Sequence, residues 1–152
     1  MRGKVTALLI FHQAEPFKEV KAALGKLAVA TKRAHTLADA CRVLSLVDPP
    51  LLVFTESQLP DGNWAEVVSF SAGALTPVSV IVVGREIDIK LYASAIEMGA
   101  FDFIAPPFDE IDLAHVVRCA ADHALRRRYT AKNARPPTRQ SHPIAAKGLG
   151  SA

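Results

Sequence analysis

Short apolar runs alternate with amphipathic stripes along most of the chain. Five of the runs have the length and the largely apolar or β-branched composition of strands, and the run at 29–34 is short and weaker. These predicted strands are residues 5–11, 29–34, 51–54, 78–83 and 103–105. After each strand, apolar residues recur at three- and four-residue spacing, which predicts helices over 17–27, 37–46, 64–70, 86–98 and from Asp109 onward.

Strands that are apolar throughout are buried on both faces, which is typical of a parallel sheet covered by helices on both sides. We therefore predict an α/β fold: a doubly wound five-stranded parallel sheet with the flavodoxin-like order 2-1-3-4-5 and helices on both faces. That order gathers the carboxyl ends of strands one, three, four and five around one crevice, where ligands bind in such sheets. The residues predicted there are His12, Gln13, Glu56, Gly84 and Pro106.

Charge is distributed unevenly along the 152 residues. Residues 1–125 carry 11 Lys and Arg against 15 Asp and Glu, whereas residues 126–152 carry 7 Lys and Arg and no acid. The second segment also contains prolines and lacks apolar periodicity, so it cannot bury enough surface to offset its ordering entropy. We predict a domain over 1–125 and a basic, disordered tail over 126–152.

No apolar run approaches the roughly 18 residues of a membrane span, so we expect a soluble, cytoplasmic protein. We interpret Cys41 and Cys119 as isolated residues, each inside an apolar helical pattern, with no second Cys or His at ligand spacing. We therefore expect two buried thiols, and no metal site.

Two segments resemble the receiver domains of response regulators in two-component signalling. Leu-Pro-Asp-Gly at 59–62 follows the third strand, and Gly-Ala-Phe-Asp-Phe-Ile-Ala-Pro-Pro-Phe at 99–108 is similar to the family's Gly-Ala-x-Asp-aromatic-apolar-x-Lys-Pro-Phe block. The resemblance covers about residues 5–125. It implies the receiver fold, a role in phosphorelay signal transduction and a cis Pro106–Pro107 peptide bond.

Several residues of the family's phosphorylation site are replaced in this chain. Receiver domains hold Mg²⁺ with two acids after the first strand, which correspond to His12 and Gln13. The phosphoacceptor aspartate corresponds to Glu56, the hydroxyl after the fourth strand to Gly84, and the lysine of the fifth to Pro106. Because Mg²⁺ prefers carboxylate oxygens and phosphoryl transfer depends on positioning and charge neutralisation, we expect no aspartyl phosphorylation, no cofactor and no enzymatic activity.

Two interpretations of Glu56 remain open. The carboxylate is either a partly buried group satisfied by backbone amides or the partner of His12 in an ion pair. The family's switch positions correspond to Gly84 and Phe103. Because Gly84 lacks a hydroxyl and Phe103 lacks a phenol, we expect no phosphate-driven switch.

The leading hypothesis is a pseudo-receiver, a noncatalytic signalling module that acts by protein–protein contact. The resemblance places its partner surface, or a homodimer contact, on the fourth helix, fifth strand and fifth helix. Candidate members of that surface are Ile89, Tyr92 and Phe101. The alternative is a nucleic-acid-associated regulator that binds phosphate backbones through residues 126–152.

Overall fold

The computed structural model describes residues 5–133, and strands and helices alternate along them. The strands are β1 (Thr6–Ile10), β2 (Ala30–Ala34), β3 (Leu52–Glu56), β4 (Ser79–Val83) and β5 (Asp102–Ile104). The helices are α1 (Phe17–Lys26), α2 (Leu37–Leu44), α3 (Trp64–Ala72), α4 (Ile89–Met98) and α5 (Glu110–Asn133). The five strands form one parallel sheet in the order β2-β1-β3-β4-β5, which confirms the predicted topology.

Strand β3 is the centre of the sheet and is buried along its whole length. Side chains of adjacent strand residues point to opposite faces, so two cores form. On one face, Leu9, Phe54 and Ile81 pack with the inner stripes of α1 and α5. On the other face, Leu8 and Val53 pack with α2, α3 and α4. This double burial accounts for the continuously apolar strands.

The Leu-Pro-Asp-Gly turn is closed by a hairpin that the sequence did not predict. Gln58–Leu59 pairs antiparallel with Gly62–Asn63. Strands of two residues are too short to show a period in the sequence. Asn63 then caps α3, since its side chain accepts a hydrogen bond from the Glu66 N–H while the Glu66 carboxylate accepts one from the Asn63 N–H.

Helix α5 corrects the predicted start of the disordered tail. It continues to Asn133, so residues 126–133 are helical rather than disordered, and the rest of the predicted tail lies outside the described residues. Two arginines of this segment, Arg126 and Arg128, have partners that a charge count does not show. Arg126 pairs with Asp122, one turn earlier.

Arg128 fastens the end of α5 to two loops at the amino-terminal edge of the sheet. Its Nε donates to the Pro77 carbonyl at 2.7 Å, and its Nη2 donates to the carbonyls of Pro49 and Pro50 at 3.1 and 3.0 Å. Partial burial lowers the pKa of Arg128, and the nearby carboxylate of Asp48 opposes that shift. Hydrogen bonds from a charged donor are stronger than neutral ones, so this contact holds the helical extension against the domain.

The expectation of two buried thiols is wrong. Cys119 is exposed and Cys41 is only partly buried. On α5 the buried stripe is formed by Leu113, Val117, Ala120 and Ala124, and Cys119 lies beside that stripe. Within residues 5–133, no helix combines the length and the apolar character needed to cross a membrane.

Candidate functional site at the carboxyl end of the sheet

Parallel pairing of β1 and β3 brings His12 and Glu56 together. Ile10 is in register with Thr55, so the residues that follow the two strands meet at the same edge of the sheet. The His12 N–H donates to Glu56 Oε1 at 2.9 Å, and His12 Nδ1 lies 3.3 Å from the same oxygen. A backbone amide and the imidazole of His12 therefore both contact one carboxylate oxygen of Glu56, which are the contacts that the two interpretations invoke.

The two side chains differ in their access to solvent. The Glu56 side chain is 8% exposed and that of His12 is 47% exposed. A carboxylate withdrawn from water needs hydrogen bonds or a counter-charge to offset its lost hydration. His12 supplies the amide donor directly, and its Nδ1 also lies within 3.3 Å of the carboxylate.

Beside this pair lies an open crevice of about 580 Å³. Gln13 and Pro106 line it, as the sequence predicts, together with Glu15, Glu19 and Arg85. The last three were not predicted as site residues, although their charge and their position after β1, on α1 and after β4 are visible in the sequence. Pro106 brings neither a charge nor a backbone donor to the crevice. The Pro106–Pro107 bond is cis, as predicted.

The ring of Phe103 occupies the space beside Gly84. A Cβ atom at Gly84 would lie 2.6 Å from Phe103 Cζ and 2.8 Å from Cε1. Gly84 is held in place by its N–H, which donates to the Ile104 carbonyl at 2.8 Å. The Tyr92 ring meets the Phe103 ring edge on, with 6.3 Å between centroids. Any side chain at position 84 must therefore displace the aromatic ring.

Asp61 of the Leu-Pro-Asp-Gly turn caps a helix from outside it. Its Oδ1 accepts a hydrogen bond from the Leu37 N–H at 2.7 Å, and its Oδ2 accepts one from the Ala38 N–H at 3.0 Å, at the start of α2. These two amides hold the pKa of Asp61 below its ordinary value. Gly62 leaves room for the Leu37 side chain, since a Cβ there would lie 2.6 Å from Leu37 Cδ2. The motif therefore joins the β3 edge to α2.

The structure separates the three residues predicted for a partner surface. Ile89 and Tyr92 lie on α4 and are 74% and 46% exposed. Ile96, one turn further, is also exposed, so these three residues form a stripe that we call the α4 patch. Phe101 is instead partly buried against the α1 and α5 core, where its ring lies 5.3 Å from that of His123.

The chain is similar in sequence to two known regulatory proteins. No family model matches the chain. The chain is 26% identical over 146 residues to the response regulator protein PilR of Pseudomonas aeruginosa, covering 95% of this chain and 30% of PilR. It is 24% identical over 116 residues to the photosynthetic apparatus regulatory protein RegA of Cereibacter sphaeroides, covering 76% of this chain and 62% of RegA. The chain thus spans less than two thirds of either relative.

Solved structures agree with the strand order. A signal receiver domain of an HD domain-containing protein from Pseudomonas fluorescens superimposes with a TM-score of 0.69 at 21% identity, covering 80% of this chain and 98% of that chain. A CheY-like receiver domain from Methanospirillum hungatei gives 0.68 at 15% identity, covering 82% and 99%. The fold is that of a response-regulator receiver domain. The sequence is similar to response regulators of signal transduction.

The contact between Gly84 and Phe103 predicts the cost of a side chain at position 84. Gly84→Ala should lower the free energy of unfolding by about 1–3 kcal/mol, because the new methyl group overpacks the site. In a Phe103→Leu background the same substitution should cost less, since the ring is gone. Urea denaturation of the four proteins measures this coupling.

The matched control is Gly25→Ala in α1, where a Cβ would meet nothing within 4 Å. That variant should be stabilised by about 0.5–1 kcal/mol. Equal costs of Gly84→Ala with and without the Phe103 ring would contradict the proposed contact.

The Asp61 cap predicts a dependence of stability on pH. The lowered pKa of Asp61 means that its contribution is present above the unfolded pKa, near 3.9, and is lost as pH falls through the folded pKa. Asp61→Ala should therefore be less stable than the parent at neutral pH, with a deficit that narrows on acidification.

Asn63→Ala provides the control, because it removes the α3 cap without removing a titrating group. It should cost about 1 kcal/mol with little change over the same pH range. Denaturant unfolding at several pH values distinguishes the two, and a pH-independent Asp61→Ala deficit would refute the assignment.

Proposed function

We propose that this chain is a pseudo-receiver, a signalling module that works by protein–protein contact and does not accept a phosphoryl group. The observation that carries the proposal is the state of Glu56. Its Oε1 already accepts the His12 N–H and contacts the His12 ring, and its side chain is almost fully buried. An acceptor carboxylate must instead face the phosphoryl donor in line.

The surroundings of Glu56 support the same conclusion. Phosphoryl transfer depends on cations that neutralise the charge on the transferred group. Gln13 and Pro106 line the crevice where receiver domains have an acid and a lysine, and they provide neither a Mg²⁺ ligand of the preferred kind nor a positive charge. Among residues 5–133, no three His, Cys, Asp or Glu side chains are grouped to hold a metal ion.

The contact between Gly84 and Phe103 supports a domain with one fixed arrangement. The ring fills the space in which a hydroxyl side chain would meet a phosphoryl oxygen. A signal conveyed by this domain then depends on which protein is bound. We propose the α4 patch, formed by Ile89, Tyr92 and Ile96, as the contact surface, for a second protein or for a second copy of the chain.

Nucleic-acid binding is the weaker alternative. Within residues 126–133, Arg126 is paired with Asp122, and Arg128 is committed to three backbone carbonyls. These arginines are therefore less available to phosphate backbones than the charge count indicates. Salt-dependent DNA binding that is lost when residues 134–152 are removed would favour this alternative, and this truncation leaves the Arg128 contact in place.

Incubation with acetyl phosphate and Mg²⁺ tests the phosphoryl-transfer half of the proposal. The intact mass of the chain should show no added phosphoryl group, because the acceptor is occupied and His12, Gln13 and Pro106 replace the family's Mg²⁺ ligands and lysine. Glu56→Asp should also remain unmodified, since it restores only the acceptor. A receiver domain with a complete site is the positive control, and an adduct that depends on Glu56 would overturn the proposal.

Substitutions in the α4 patch test the protein-contact half. A partner is first isolated by cross-linking, and its affinity for purified variants is then measured. Ile89→Asp and Tyr92→Asp should each weaken binding by about tenfold or more, or about 1.4 kcal/mol, because a charge replaces buried apolar area. Val47→Asp is the matched control, since Val47 is an apolar side chain that is 97% exposed elsewhere. Loss of binding in the control alone would place the surface elsewhere.

A further inference from the structure

The solvent-facing side of α5 carries a thiol and an imidazole in contact. Cys119 and His115 are four residues apart, one helical turn, and both are exposed. Cys119 Sγ lies 3.5 Å from His115 Nε2 and 3.9 Å from Nδ1. The expectation of two isolated thiols is wrong for Cys119, and the four-residue spacing to His115 is visible in the sequence. The site at the carboxyl end of the sheet does not include this pair.

The separation of the two donor atoms matches that of ligands on one metal ion. In zinc sites the metal lies about 2.3 Å from a thiolate sulfur and about 2.0–2.1 Å from an imidazole nitrogen. At a tetrahedral angle these lengths place sulfur and nitrogen about 3.6 Å apart. The observed 3.5 Å matches this separation, and because Sγ is also 3.9 Å from Nδ1, the imidazole must turn about its side-chain bonds to aim Nε2 at a shared metal.

The neighbouring residues limit the number of protein ligands to two. Asp122 follows Cys119 by one turn, but its carboxylate is paired with Arg126. In the part of the chain that the structure describes, no group of three or more ligating side chains is present. Water must therefore complete the coordination shell, as it does at open zinc positions.

We propose that His115 and Cys119 form a surface site for a thiophilic divalent cation of the zinc class. When the metal–sulfur bond forms, the thiol releases its proton to solvent, and the neutral imidazole donates its nitrogen lone pair. Soft thiolate and imidazole donors select such metals over Mg²⁺ or Ca²⁺, which prefer oxygen. Because one proton leaves on binding, affinity rises with pH. The site is independent of the proposed signalling role.

Cobalt is the probe, since thiolate ligation of Co²⁺ produces charge-transfer absorption in the near ultraviolet. We expect this band when Co²⁺ is added to the reduced full chain under anaerobic conditions, and we expect zinc to displace it. Cys119→Ser should abolish the band. His115→Ala should weaken cobalt binding by about tenfold or more, since even the loss of a group that only supports a ligand costs 10- to 100-fold.

Cys41→Ser is the matched control, because it removes the other cysteine and should leave both the band and the affinity unchanged. Circular dichroism checks that each variant folds, which the exposure of both positions favours. Absence of the band, its persistence in Cys119→Ser, its loss in Cys41→Ser, or unchanged affinity in His115→Ala would each overturn the proposal. A thiol–imidazole hydrogen bond without metal affinity gives the first of these results.

Discussion

A carboxylate at the end of a strand that is buried on both faces needs hydrogen-bond donors or a counter-charge at that position. In this chain Glu56 has that position, and the donor is the main-chain amide of His12 at the end of the neighbouring strand. The parallel register fixes both positions, so the contact follows directly from the topology. In the proposed pseudo-receiver, this internal contact takes the place of a metal and a lysine at the sheet edge. Gln13 and Pro106 are compatible with that state, as is the aromatic ring that closes over Gly84.

The fold could be predicted from the sequence because its determinants are periodic or local. Largely apolar runs predicted the five strands, the second of them more weakly, and the right-handed crossover rule predicted their order. The site could be located because the carboxyl ends of parallel strands meet at one edge. The partner of Glu56 could not be chosen, since a backbone amide and an imidazole of the same residue are both consistent with the spacing. Only the atomic positions show that both contact Oε1.

Other features depend on contacts between distant segments, and no local pattern contains them. The carboxylate of Asp61 reaches amides at the start of α2, more than twenty residues earlier, with sequence separations of 24 and 23. Composition alone was misleading for residues 126–133, because charge and missing periodicity indicated disorder while Arg126 and Arg128 had specific partners. Exposure was also misjudged for Cys119, since it lies beside the buried stripe of α5 rather than on it.

The guanidinium of Arg128 fixes the end of α5 to the rest of the domain. Its three acceptors belong to the loop that follows α2 and the loop that follows α3, so the helix is braced from two directions. Residues 126–133 extend the helix by about 12 Å at about 1.5 Å per residue. The last turn of α5, which ends at Asn133, therefore has a direction that is fixed relative to the sheet. Because one guanidinium binds both loops, a rotation of either loop would be passed to the direction of the last turn of α5.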